Sequence, residues 1–291
     1  MSKYQTLQEY YIQEMGYTKN IEKIFIDLSY LIYNSFIYTL RDKYDGPLDY
    51  DIHKNGKFLT LFKKHVNGNL HRISKSKGID FRSIIFVRDC LRHNIWRHNI
   101  DNNYKRSRPT DCIVKDSNNS NKSNKYNIGE IFKYVYHHLI EEIVKPKGIY
   151  ILHNEVMEAD DGIACCVRYL DSMNVHSIVI SADQDFLQLK SKNVEICNLR
   201  LNQIESKNPH FSIVKKYIYG DVNDNISPLE VDKNQHSVLN FEDNIIDILS
   251  KASQEDLIKN VKLINFNYIP SNLTNVTLNK FEEYLDTLIH I

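Results

Sequence analysis

The 291-residue sequence predicts an α/β fold: a mainly parallel central sheet flanked by helices, a long insertion and a small helical C-terminal region. Two observations carry that prediction. Short apolar runs of strand length alternate with segments of helical periodicity, which is the pattern of βαβ units. Acidic residues stand where those runs stop, at Asp27, Asp89, Glu158, Asp160, Asp161, Asp183, Asp185, Asp221 and Asp224. Ligands of parallel sheets gather beyond the carboxyl ends of the strands, so the acids mark one edge.

The first strand is Lys-Ile-Phe-Ile-Asp-Leu at 23–28, and Ser29 is placed to cap a helix from Tyr30 to Leu40. Ser83 to Asp89 is the second strand. Gly148 to His153 is the third, followed by a helix with Ile163, Val167 and Leu170 at i, i+4 and i+7. Ser177 to Ser181 is the fourth. An insertion of about 90–145 separates the second and third strands; its middle, 116–127, is polar and low in complexity and is expected to be mobile without a ligand. Ile128, Ile131, Phe132, Val135, Leu139 and Ile143 mark an amphipathic helix returning to the core. Beyond Asp224 the texture is helical, including Ile245 to Leu249 and Asp256 to Leu263, so the boundary is drawn between 1–226 and 227–291.

A hydrophobic content of 42% supplies a real core. No run approaches the ~18 apolar residues of a membrane span, and the start lacks the apolar stretch of a signal peptide, so an intracellular protein is expected. The five cysteines are odd in number and form no C-x-x-C pair, which argues against a disulfide framework or a zinc knuckle. Cys165 and Cys166 belong on or beside the buried face of a helix. Lys plus Arg and Asp plus Glu are each 37, so net charge says nothing about partners. Its distribution does: Arg88, Arg92, Arg97, Lys105, Arg106 and Arg108 face only Asp89 and Asp101 in the same stretch. A basic stripe beside an acidic cluster suits one surface that holds a polyanion and another that hydrolyses it.

Each acid alone has a plain explanation. Asp27 and Asp89 would serve as caps or turn residues, Glu158, Asp160 and Asp161 as first-turn acids that favour a helix dipole, and Asp183 and Asp185 as a solvated loop. Jointly they need something more. Two like charges ~4 Å apart repel by about 4 kcal/mol at an effective dielectric of 20, and bound cations remove that cost. Oxygen donors without a matching Cys/His set favour Mg²⁺ or Mn²⁺ over zinc, and a pair of ions is the usual machinery for cleaving a phosphodiester.

Phe-Ile-Asp27, Phe-Val-Arg-Asp89, Glu158-Ala-Asp160-Asp161-Gly, Ser-Ala-Asp183-Gln-Asp185-Phe and Gly220-Asp221-Val-Asn-Asp224-Asn-Ile, in this order over about 200 residues, resemble the flap endonuclease and 5′→3′ exonuclease superfamily. The resemblance implies a PIN-like 5′ nuclease fold with a helical arch. It implies that Asp27, Asp89, Glu158, Asp160 and Asp161 hold one ion, that Asp161 shares with Asp183, Asp185 and Asp224 the placing of a second, and that Asp221 stands in the same motif. Water would attack the scissile phosphate, with no protein nucleophile.

Trp96-Arg97 and Tyr104-Lys105-Arg106-Ser-Arg108 resemble the base of that arch. Lys105 and Arg108 would face the phosphate being cut. Arg97 would draw in the backbone, and Arg97, Tyr104, Lys105, Arg106 and Arg108 together form the implied DNA-binding set. Trp96 and Tyr104 either stack on bases or pack the arch base, with packing favoured. One departure stands out: Ser227-Pro228-Leu229-Glu230 follows the last motif, with no glycine left for the phosphate-binding turn usual there. Lys251, Lys259 and Lys262 are the available substitutes for gripping duplex.

The expectation is therefore an Mg²⁺-dependent 5′ nuclease with two ions, Mn²⁺ substituting. It would act as a monomer on DNA with 5′ ends, flaps or nicks, and on RNA–DNA hybrid, in replication, repair or recombination. No sliding-clamp peptide stands at either end. Two alternatives stay open: a PIN-type ribonuclease, and a DNA-binding recombination factor on the same fold that has lost turnover.

Overall fold

The structure is a computed structural model that describes residues 23–46, 50–109, 111–115, 123–206, 208–229, 250 and 252–289. Its strands are β1 (Lys23–Asp27), β2 (Ile84–Arg88), β3 (Cys112–Lys115), β4 (Ser123–Tyr126), β5 (Tyr150–His153), β6 (Ser177–Ile180) and β7 (Val194–Cys197). Its helices are α1 (Leu28–Tyr38), α2 (Gly56–Lys77), α3 (Ile128–Tyr134), α4 (Ile140–Ile143), α5 (Ala159–Ser172), α6 (Pro209–Tyr219), α7 (Gln254–Ile264) and α8 (Ser271–Ile289). A π-helical stretch, Val135–Leu139, joins α3 to α4.

Five strands pair in the order β5-β2-β1-β6-β7, every pair parallel. Parallel neighbours cannot be joined by tight turns, so helices cross between them and both sheet faces are covered. Ile24 and Ile26 of β1 face α1 and α2 with Phe36, Phe58 and Phe62. Phe25, between them, faces the other layer, where Ile163 and Val167 of α5 meet Phe281 and Leu285 of α8. The ring centroids of Phe25 and Phe281 are 5.8 Å apart. Residues from 1–226 and 227–291 thus share one core, and α8 closes a face of the nuclease sheet.

The helix after β1 begins one residue after Asp27, not after Ser29. Asp27 is its N-cap, accepting from the Tyr30 N–H at 3.1 Å, while the Ser29 hydroxyl donates to Asp89. α2 lies outside the elements expected from the sequence, although Phe58, Phe62, Val66, Leu70 and Ile73 recur on one buried face. Asn55 caps its first turn by accepting from Phe58 N–H at 3.0 Å. β7 is likewise an addition to the expected strands.

In the insertion, the expected helical arch carries an antiparallel ribbon of β3 and β4, with Ile113 opposite Lys125. Residues 123–126, read as part of an irregular tract, are a strand because alternation sends Tyr126 into the core, where its ring meets Phe36 edge-on at 5.8 Å. Residues 116–122 of that tract lie outside the described residues, as do Glu230, Ile245 to Leu249 and Lys251. The helix expected over Asp256 to Leu263 is α7. Cys165 and Cys166 are both buried.

Candidate active site and metal centre

Chain crossing places the acids. β1 is the central strand, and Asp27 ends it; Asp89 follows β2, and Glu158 stands at the N-terminus of α5. Gly162 lets that helix approach the sheet, since a Cβ there would lie 2.9 Å from Val87 Cγ1. The close approach brings Asp89 under α5, where its Oδ1 accepts from the Ala159 N–H at 2.8 Å. Beside it, Ser181 donates to Asp27 at 3.3 Å and accepts from the Asp183 N–H at 3.2 Å. Burial, followed by the Asp89 charge, pushes Asp27 up to about 7. Burial and the neighbouring charges of Glu158 and Asp161 also raise Asp160. One oxygen from each of Glu158, Asp160 and Asp161 lies within 4.8 Å of the others.

Glu158 behaves oppositely. Burial opposes its charge, but Lys105 and Arg97, with a hydrogen bond from Tyr104, overcome that and hold it at about 2. Lys105 Nζ donates to Oε1; Arg97 Nη1 and Tyr104 OH each donate to Oε2 at 3.0 Å. Asp161 is fully buried and is taken by a fork: Arg97 Nη1 and Nη2 reach its two oxygens at 2.7 Å each, and Trp96 Nε1 adds a third bond at 2.8 Å.

Arg97 is 1% exposed and Tyr104 3%, and both are internal members of the acidic cluster. Trp96, likewise buried, packs. Asp161 turns its oxygens to Arg97 and Trp96 while staying within 4.8 Å, oxygen to oxygen, of Glu158 and Asp160.

Asp185, Asp221 and Asp224 are gripped by cations. Asp224 receives Arg108 Nη2 at Oδ1 and lies 3.7 Å from Lys105 Nζ through Oδ2. Lys216 of α6 sits 2.7 Å from Asp185 and 3.0 Å from Asp221. Burial and the Asp183 charge raise Asp185, against the pull of Lys216. The turn holding Asp221 and Asp224 depends on Gly220, which has φ +69° and whose Cβ would meet the Ile226 carbonyl at 2.2 Å. Lys216 was not read from the sequence; its signal was position, one turn before that glycine. Arg106 is exposed, and its side chain pairs with no acid among the described residues.

A cleft of about 940 Å³ opens over this edge. Asp27, Asp89, Glu158, Asp160 and Asp183 line its floor, with Lys105 and Arg108 beside them and Ile113 and Lys125 of the ribbon above. The donors are all oxygens, and the burial and neighbouring charge that raise Asp27 and Asp160 both penalise anions in a way that a hard divalent cation relieves. Carboxylates for ions, cations for an anionic substrate and an open cleft suit hydrolysis of a phosphodiester.

A parallel sheet with carboxylates crowded on its carboxyl edge and a basic arch base beside them defines a resolvase-like nuclease fold. Residues 22–218 match the family of the 5′-3′ exonuclease N-terminal resolvase-like domain, and the chain belongs to that family. Ribonuclease H of Enterobacteria phage T4 is 21% identical over 241 residues, 75% of this chain and 76% of that protein. DNA polymerase I of Treponema pallidum strain Nichols is 38% identical over 64 residues, which are 22% of this chain and 6% of the polymerase. Among solved structures, T5 5′-exonuclease with bound divalent zinc superposes with a TM-score of 0.59 at 16% identity, covering 91% of this chain and 99% of that one. The bacteriophage T5 flap endonuclease in a pseudo-enzyme-product complex with DNA and metal ions gives 0.57 at 15%, with the same coverage. The flap endonuclease and exonuclease resemblance read from the motifs therefore holds, and so does the fold.

Proposed function

We propose that this protein is a divalent-metal-dependent 5′→3′ exonuclease and flap endonuclease that hydrolyses DNA phosphodiesters in replication, repair or recombination. The observation that carries the reading is the convergence of Asp27, Asp89, Glu158, Asp160 and Asp183 on one cleft that Lys105 and Arg108 also line. Asp27, Asp89, Glu158 and Asp160 would hold one ion, and Asp183, Asp185, Asp221 and Asp224 a second, Mg²⁺ by preference with Mn²⁺ as substitute. Such ions supply Lewis acidity and charge stabilisation at the scissile phosphate. Lys105 and Arg108 then stabilise negative charge that grows on it. To do so Arg108 exchanges Asp224 for phosphate, an exchange its 44% side-chain exposure permits.

A complete set of carboxylates beside Lys105 and Arg108 supports turnover over a purely binding role. The substrate is DNA with 5′ ends, flaps or nicks, cut by a monomer. RNA–DNA hybrid is a second substrate supported by the T4 relative, whose name is ribonuclease H. Product mapping on 5′-flap, nicked, blunt-duplex and single-stranded DNA, and on RNA–DNA hybrid, with Mg²⁺ and with EDTA, tests the proposal. Release of 5′ products only with Mg²⁺ is expected; metal-independent cleavage, or none on any DNA, would overturn it.

A further inference from the structure

Arg97 is a buried cation that the proposed reaction does not use. All three guanidinium nitrogens donate inside the protein: Nε to the Leu263 carbonyl at 2.8 Å, Nη1 to Glu158 Oε2 at 3.0 Å and Asp161 Oδ2 at 2.7 Å, and Nη2 to Asp161 Oδ1 at 2.7 Å. The Trp96 and Tyr104 rings flank it, with centroids 4.7 and 5.7 Å from Cζ. A planar fork held on three sides fixes orientation as well as charge.

Each carboxylate oxygen has about two lone-pair directions. Glu158 Oε2 spends both on Arg97 and Tyr104, whereas Oε1 receives only Lys105. Asp161 Oδ2 spends both on Arg97 and Trp96, and its Oδ1 is turned to Arg97 Nη2. Of the three acids at this end of α5, Glu158 and Asp160 line the cleft, whereas Asp161, held on both oxygens by Arg97, is 0% exposed and does not.

We infer that Arg97 is a positioning residue: from behind the site it sets which carboxylate oxygens of Glu158 and Asp161 can reach an ion. Its bond to the Leu263 carbonyl, near the end of α7, ties that orientation to the C-terminal helices. The inference rests on the metal-dependent reading proposed above. It replaces the role of Arg97 as a phosphate contact.

Arg97→Lys keeps a cation and removes the fork. Mn²⁺ binding is measured by titration calorimetry without DNA, DNA affinity in EDTA at several salt concentrations, folding by circular dichroism, and single-turnover cleavage against Mg²⁺ concentration. The expected result is a folded variant with wild-type DNA affinity and salt slope, Mn²⁺ bound ~10–100-fold more weakly, and a matching rise in the Mg²⁺ needed for half-maximal rate. Should Arg97→Lys not fold, Arg97→Gln with Asp161→Asn replaces the charged fork by a neutral amide pair, and Asp161→Asn alone is its reference. Wild-type Mn²⁺ affinity in the folded variant overturns the inference. So does unchanged Mn²⁺ affinity combined with weaker DNA binding and a salt slope smaller by about one, which would make Arg97 a phosphate contact. If the wild-type protein cleaves nothing yet Mn²⁺ binding depends on Arg97, the nuclease reading falls and the positioning role stands.

Discussion

Lys216 lies 2.7 Å from Asp185 and 3.0 Å from Asp221, so one cation from α6 serves two carboxylates that belong to different turns. Removing it leaves like charges facing each other. Lys216→Met is expected to destabilise the metal-free protein by about 1–2 kcal/mol, below the cost for a fully buried pair because the side chain is 30% exposed. Thermal melts in EDTA and in Mg²⁺ check this. The deficit should shrink with Mg²⁺, and an unchanged melt in EDTA would remove Lys216 from the site.

Asp183→Asn with Asp185→Asn is expected to keep the fold and much of the DNA affinity while nearly abolishing cleavage. Fewer crowded charges mean that the metal-free melting temperature stays level or rises. Added Mg²⁺ should stabilise the wild type more than the double variant. Wild-type turnover in the variant would refute the ion assignment.

Lys105 and Arg106 are adjacent but differ in every contact. Lys105 reaches Glu158 and Asp224 from a buried position, and Arg106 is exposed. Lys105→Ala should lower the single-turnover rate by roughly 10²–10³, the usual loss for one group that stabilises a developing anion. Arg106→Ala should change little. Equal small effects would reduce the arch base to a diffuse electrostatic surface.

Stability should depend on pH in a definite direction when no metal is present. Asp27 is pushed up to about 7 from 3.8, first by burial and then by Asp89. Folding therefore favours its protonated form, and that contribution is full below about 3.8 and lost as pH rises through 7. Glu158, held at about 2, works the other way, losing its contribution as pH falls from 4.5 towards 2. Between pH 5.5 and 8 the raised acids govern, Asp27 together with Asp160 and Asp185, which act in the same direction. Melting in EDTA should fall by an amount on the order of 1–3 kcal/mol across that window. Saturating Mg²⁺ should flatten the profile, and a melt that rises with pH in EDTA would contradict it.

Gly220→Ala puts a methyl 2.2 Å from the Ile226 carbonyl at φ +69°. The expected cost is about 1–3 kcal/mol, with cleavage lost faster than stability because Asp221 and Asp224 share that turn. Urea unfolding together with cleavage rates would show it. Parallel, equal losses would mean that the turn is only structural.

Much of this was legible because its signals are local. Asp27, Asp89 and Asp183 end apolar runs, and Gly220 marks the last turn, so strand ends and site floor could be read along the chain. Arg97 could not, because its burial depends on Glu158 and Asp161, 61 and 64 residues away, and an isolated Arg in a basic stretch reads as surface. Lys216 was hidden for the same reason: its partners lie in two other turns. The strand at 123–126 was masked by its polar composition, and only Tyr126 packs inward strongly enough to fix it.

The turn at 221–226 also grips the arch leg. Lys105 N–H donates to the Asp224 carbonyl at 2.8 Å, Ser107 donates to Asn225 Oδ1 at 3.0 Å through its amide and 2.7 Å through its hydroxyl, and Arg108 holds Asp224. The arch leg and the proposed ligand Asp224 are therefore latched together. With Asp224 as a ligand, a strand that lifted the leg would unfasten it in the same movement, and the site would be whole again only when the leg returned. Admission of a strand and its cutting would then be successive events, and a wide or bulky 5′ terminus would be penalised by the time it keeps the latch open.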